Sequence, residues 1–81
     1  MSGVPERDAA LERQLTALVR EESAQVVAQL ISLLGDFDRA EELWQETLVA
    51  AMEAWRRGGV PQRPGAWLTT AARNRALDVL R

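Results

Sequence analysis

The sequence predicts an all-α protein, a compact bundle of three to four helices. Two observations carry the prediction. Apolar residues recur at three- and four-residue steps in three separate segments, and no stretch alternates apolar with polar residues for long enough to form a strand. A third observation bounds the size: 81 residues, 47% of them apolar and 27% charged, suit a single folded domain with one core.

The first helix is expected from about Glu6, just after Pro5 in a favoured early-helix position, to Leu34, with Gly35 as its C′ residue. Leu11, Leu15, Leu18 and Val19 mark one apolar stripe, and Val26, Val27, Leu30, Ile31 and Leu34 mark another. The polar run Arg20-Glu21-Glu22-Ser23 between them admits one break, hence three or four helices. The second helix is expected to begin at Asp38, because Asp38 and Glu41 match a capping box with aspartate in place of the hydroxyl. It should run to about Arg57. Phe37, Ala40, Trp44, Leu48, Ala51 and Trp55 are its expected core side, and Glu42, Glu46, Val49 and Glu53 line the opposite side, with Glu41 and Gln45 beside them. One apolar residue amid carboxylates on a water-facing surface reads as a docking stripe.

Gly58-Gly59-Val60-Pro61-Gln62-Arg63 contains helix breakers between arginines and is expected to be an exposed, mobile, positive loop. Pro64 then opens a third helix that continues to Arg81. Its expected packing arc is Leu68, Ala72, Ala76, Val79 and Leu80, and its presenting arc is Trp67, Thr70, Asn74, Asp78 and Arg81. No stop signal follows, which suggests a chain that continues within a longer protein.

Charge divides the chain near Arg56. Eleven acids face four arginines before that point, and six arginines face the single acid Asp78 from there on, so halves of −7 and +5 make up the net −2. Such asymmetry suggests a basic surface for nucleic acid and an acidic surface for a basic protein. All ten basic residues are arginine, whose planar fork suits phosphate and base edges. A tryptophan beside an arginine-flanked polar face can support an unstacked base, and asparagine can read adenine through two hydrogen bonds. Trp67 is better suited to a core or half-core place, since the chain has only Phe37, Trp44 and Trp55 as other aromatics.

Other classes are weighed against this. With neither histidine nor cysteine, the commonest general base, nucleophile and transition-metal ligands are missing, so neither an enzyme, a metal site nor a cofactor is expected. Met1-Ser2-Gly3-Val4-Pro5 lacks the features of a secretory signal, and no apolar run reaches the roughly 20 residues that span a bilayer. A cytoplasmic protein is the expectation, with no membrane contact. A helical interaction module that binds no DNA is the alternative.

Gly35-Asp36, Ala40-Glu41-Glu42-Leu43-Trp44-Gln45-Glu46, Ala66-Trp67-Leu68, Ala72-Arg73-Asn74-Arg75-Ala76-Leu77-Asp78 and Leu80-Arg81 occur in that order. Together they resemble region 2 of bacterial extracytoplasmic-function (ECF) RNA polymerase sigma factors, from about Leu18 to Arg81. The resemblance implies a sigma region 2 helical domain: an N-terminal extension (1–17), core-polymerase-binding helices (18–57), a loop (58–63) and a helix that reads the promoter minus-ten element (64–81). It implies two partners. One is core RNA polymerase, whose largest-subunit clamp helices would meet Glu42, Gln45 and Glu46 on the stripe that also holds Glu41 and Val49. The other is the non-template strand of promoter DNA, which would meet Arg63, Trp67, Asn74 and Asp78 with Arg56, Arg57, Thr70, Arg73 and Arg81 nearby. An anti-sigma factor is a further implied partner. The chain departs from the family pattern at Pro64-Gly65, at Thr69-Thr70 and at Trp44, the last implying altered packing rather than altered contact. Region 4, which reads the minus-thirty-five element, is absent from this sequence.

Overall fold

The computed structural model describes residues 6–81, and the expectations for Pro5 and for the segment Met1-Ser2-Gly3-Val4-Pro5 lie outside them. Three helices account for it: α1 (Glu6–Leu34), α2 (Phe37–Gly58) and α3 (Pro64–Leu80). At 1.5 Å per residue, the 29 residues of α1 are about 43 Å long. That length sets the 42 Å long axis of a body only 23 and 20 Å across.

The break admitted at Arg20-Glu21-Glu22-Ser23 does not occur, so the bundle has three helices and not four. The run holds neither Gly nor Pro, and Glu22 and Ser23 are only half-exposed, so the polar patch continues the helix as a partly packed face.

Gly35 takes φ +69, a left-handed value that glycine adopts without steric cost, and its N–H bonds the carbonyl of Ile31 at 2.7 Å. This places the start of α2 two residues earlier than the expected capping box. The N-cap is Asp36, in extended conformation, and its carboxylate accepts the Arg39 N–H at 3.0 Å. Asp38 therefore lies inside the first turn of α2, where its charge suits the helix dipole. The reason is geometric: once Gly35 turns the chain, Asp36 is the one residue left outside both helices.

With a two-residue connection, α1 and α2 must run antiparallel. Asp8 accordingly meets Arg56, while Phe37 lies beside Ala28 and Ile31. α3 returns parallel to α1, since Gly65 faces Glu22 and Arg73 lies beside Gln29 and Leu33. The five-residue loop 59–63 makes the turn, with Gly59 at φ +85 and Pro64 as the first residue of α3. Val60 and Pro61 are half-buried and Val60 packs on the core, so the loop is anchored at one point rather than fully exposed.

The core draws on all three helices: Leu11, Leu15, Val26, Val27 and Leu30 from α1, Ala40, Leu43, Trp44, Ala51 and Trp55 from α2, and Leu68, Ala72 and Ala76 from α3. Three expected core positions fail. Phe37 is 58% exposed, because the first residue of α2 lies at the rim of the α1–α2 seam. Val79 and Leu80 are exposed because Arg73 already lies beside Leu33, so the last turns of α3 outrun the end of α1. Thr47 was not expected inside, yet it is fully buried. Its hydroxyl donates to the Leu43 carbonyl at 2.8 Å, so the polar atom is satisfied within its own helix.

Candidate polymerase and nucleic-acid surfaces

The α2 stripe stands in water. Glu42, Gln45, Glu46, Val49 and Glu53 are exposed, and Glu41 is half-buried at the edge of a groove between α1 and α2. They share one side because the other side of α2 is taken by Ala40, Trp44, Ala51 and Trp55. Val49, 60% exposed, is the apolar residue among these carboxylates. Glu42 also has a partner that the sequence reading did not single out: Arg39, one turn back, donates to its Oε1 at 2.9 Å. The i, i+3 spacing of an arginine and a glutamate was the available signal. Both side chains are well exposed, so the pair orients Glu42 more than it stabilises the helix.

The arginines expected on the other surface do not share one place. Arg63, Trp67, Thr70 and Asn74 line a single open groove of about 500 Å³, together with Pro61, Ala66 and Ala71. The loop supplies Arg63, and α3 supplies the rest at three- and four-residue steps. Trp67 is half-buried. Its ring meets that of buried Trp55 edge to face, with centroids 5.3 Å apart and planes at 71°. It is thus both a packed residue and a wall of the groove.

Arg56 and Arg57 line a different groove, with Ala10, Leu11, Gln14, Trp55, Gly59 and Val60. There Arg56 Nε donates to Asp8 Oδ1 at 3.3 Å, so α1 supplies it with a carboxylate. Arg73 lies on a third surface, the seam of α1 and α3. Asp78 and Arg81 are exposed beyond the last buried residue of α3, Ala76.

Among the described residues no group of His, Cys, Asp or Glu side chains is placed to hold a metal ion. No described helix is long and apolar enough to cross a membrane. Among the described residues, two buried donors have no hydrogen-bond partner, the indole N–H groups of Trp44 and Trp55.

Comparison with known proteins bears on these surfaces. Residues 18–81 match the family model for sigma-70 region 2. The chain is 39% identical over 79 residues to the ECF RNA polymerase sigma factor SigL of Mycobacterium tuberculosis, covering 96% of this chain and 43% of that protein. It is 37% identical over 57 residues to an uncharacterized protein of Rhizobium meliloti, covering 70% of this chain and 14% of that protein. The chain thus spans less than half the length of the curated relatives it matches. No solved structure gives a significant match.

Proposed function

The chain belongs to the sigma-70 region 2 family, and from that premise we propose that it serves transcription initiation as the part of an ECF sigma factor that joins core RNA polymerase to the promoter minus-ten element. In this reading, α2 meets the clamp helices of the largest polymerase subunit through Glu41, Glu42, Gln45, Glu46 and Val49. The groove of Arg63, Trp67, Thr70 and Asn74 receives a nucleotide of the non-template strand and so favours the opened promoter.

The observation that supports this reading is the separation of the two surfaces. The exposed acids of α2 take no part in lining the open groove of α3, so one surface can hold a protein while the other holds DNA. Trp67 is already held by Trp55, so stacking a base on it orders little that was free. The Asn74 carboxamide offers a donor and an acceptor to the edge of that base, as adenine requires. Arg63 at the mouth supplies a cation for the backbone, which makes binding salt-dependent.

Two measurements test it. The double substitution Gln45→Arg and Glu46→Arg reverses the α2 stripe without touching the core, and it should abolish capture of core polymerase while the helical circular dichroism stays unchanged. Undiminished capture would remove the α2 assignment. Asn74→Ala should weaken binding of a minus-ten single strand in the presence of polymerase by about tenfold, the scale of a lost bidentate base contact. Equal affinity of the unsubstituted protein for promoter and scrambled strands would refute base reading.

A further inference from the structure

The second half of α1 shows water a face that differs from the rest of the surface. Ala24, Gln25, Ala28, Gln29 and Ser32 are exposed on it, while Val26, Val27 and Leu30 of the same turns are buried. Ala24, Ala28 and Ser32 follow at four-residue steps and so fall within an arc of about 80°. From Ser23 to Gly35 the chain carries no charged residue, although more than a quarter of the sequence is charged. A second helix can approach side chains this small closely, and no charge is desolvated when it does.

Two grooves flank this face and share Ala28. One, of about 480 Å³, lies toward α2 and is lined by Ile31, Phe37, Glu41, Trp44 and Leu48 among others. The other, of about 510 Å³, lies toward α3 and is lined by Gln25, Gln29, Ser32, Leu33 and Arg73. The grooves are opposite in charge. Glu41 is half-buried at the first and Arg73 is exposed at the second, and among the described residues neither has an ion pair, whereas Arg39 and Arg56 each have one. The first groove also holds an unpartnered donor: Trp44 is 3% exposed, and its indole N–H meets no acceptor.

We propose that this face is the interface of a homodimer, in which the α1 helices of two copies pack in parallel about a two-fold axis running alongside them. The symmetry fixes the pairing. Such an axis sets the α2 side of one copy against the α3 side of the other, so Glu41 meets the partner's Arg73, and the contact occurs twice. The partner's Gln29 then brings a carboxamide oxygen toward the groove that Trp44 lines. Antiparallel pairing, about an axis across α1, sets Glu41 against the partner's Glu41 and Arg73 against the partner's Arg73, and like charges are costly there. Glu21 bounds the contact, because the parallel pair brings like charges together before Ala24. Gln45 lines the first groove beside Glu41, so a dimerised copy withholds both from polymerase. That consequence rests on the functional reading above; the dimer does not.

Sedimentation velocity of the full chain over a concentration series reads the dimer with no polymerase present. The unsubstituted chain should pass from monomer to dimer as concentration rises. Glu41→Arg and Arg73→Glu should each weaken association about tenfold with unchanged helical circular dichroism. An equimolar mixture of the two variants should recover it, since each cross-contact then joins opposite charges. The chain has no cysteine, so Ser32→Cys can form a disulfide only between copies. It should cross-link on oxidation in the parallel pair, whereas antiparallel pairing about Ala28 holds the two positions about 12 Å apart along the axis, beyond disulfide reach. A monomer at every concentration, a mixture no stronger than its parts, or failure of Ser32→Cys to cross-link overturns the proposal. So does dimerisation that Arg73→Glu leaves untouched, which would place the interface elsewhere. The oxidised Ser32→Cys dimer should capture no core polymerase until it is reduced. Undiminished capture removes the withholding and leaves the dimer standing, and Gln45→Arg with Glu46→Arg then tells whether the polymerase assignment itself is at fault.

Discussion

Trp55 and Trp44 show how much a single side chain can carry in a domain of this size. Each is 3% exposed, and each buries an indole N–H with no acceptor. Burying such a donor costs about 1–3 kcal/mol, which the large apolar area of the ring offsets. Trp55→Phe removes the stranded donor and keeps most of the ring, whereas Trp55→Ala empties a core site. Urea denaturation should therefore show a loss of about 3–5 kcal/mol for the alanine variant and under about 1.5 kcal/mol for phenylalanine, the scale of a tolerated apolar swap. Near-equal losses would mean that the indole N–H finds an acceptor in solution. Trp55 also orients Trp67, so the alanine variant should weaken single-strand binding as well. That Trp67 would be at once packed and groove-lining was not legible from its position alone, because periodicity assigns an arc and not a neighbour.

The elements were legible to within a residue or two, except where one side chain had two equivalent partners. Asp36 and Asp38 are both N-cap residues by type, and the Glu41 three residues after Asp38 favoured the wrong one. Gly35 decides the matter by ending α1 and leaving Asp36 extended. Asp36→Ala should cost about 1 kcal/mol, read as a lower midpoint in thermal or urea unfolding, and Asp38→Ala should cost only a few tenths through the helix dipole. An equal loss at both positions would contradict the cap seen here. At the other end of the bundle, Gly65 brings α3 close to α1: a Cβ there would lie 3.0 Å from Glu22 Oε2. The carboxylate of Glu22 thereby sits beside the N-terminus of α3, where negative charge is favourable and no side chain caps the helix.

For the whole molecule, packing depends on where helices stop as much as on which faces they show. Leu68 is fully buried, while Leu80, on the same helix and of the same chemistry, is 53% exposed beyond the end of α1. Leu68→Ala should destabilise by about 2–5 kcal/mol and Leu80→Ala by less than about 0.5 kcal/mol, a contrast that one pair of denaturation curves can check. By itself the sequence determined the helical class, the single core, the acidic outward side of α2 and the arc of α3 that holds Trp67, Thr70 and Asn74, since all of these follow from local periodicity and charge. Only the tertiary structure decided that α1 is unbroken, that Phe37, Val79 and Leu80 lie outside the core and Thr47 inside it, and that the arginines divide among separate surfaces. Helical period places a residue on one side of its own helix; which neighbour covers that side, and for how many turns, depends on helix lengths and crossings that no single segment encodes.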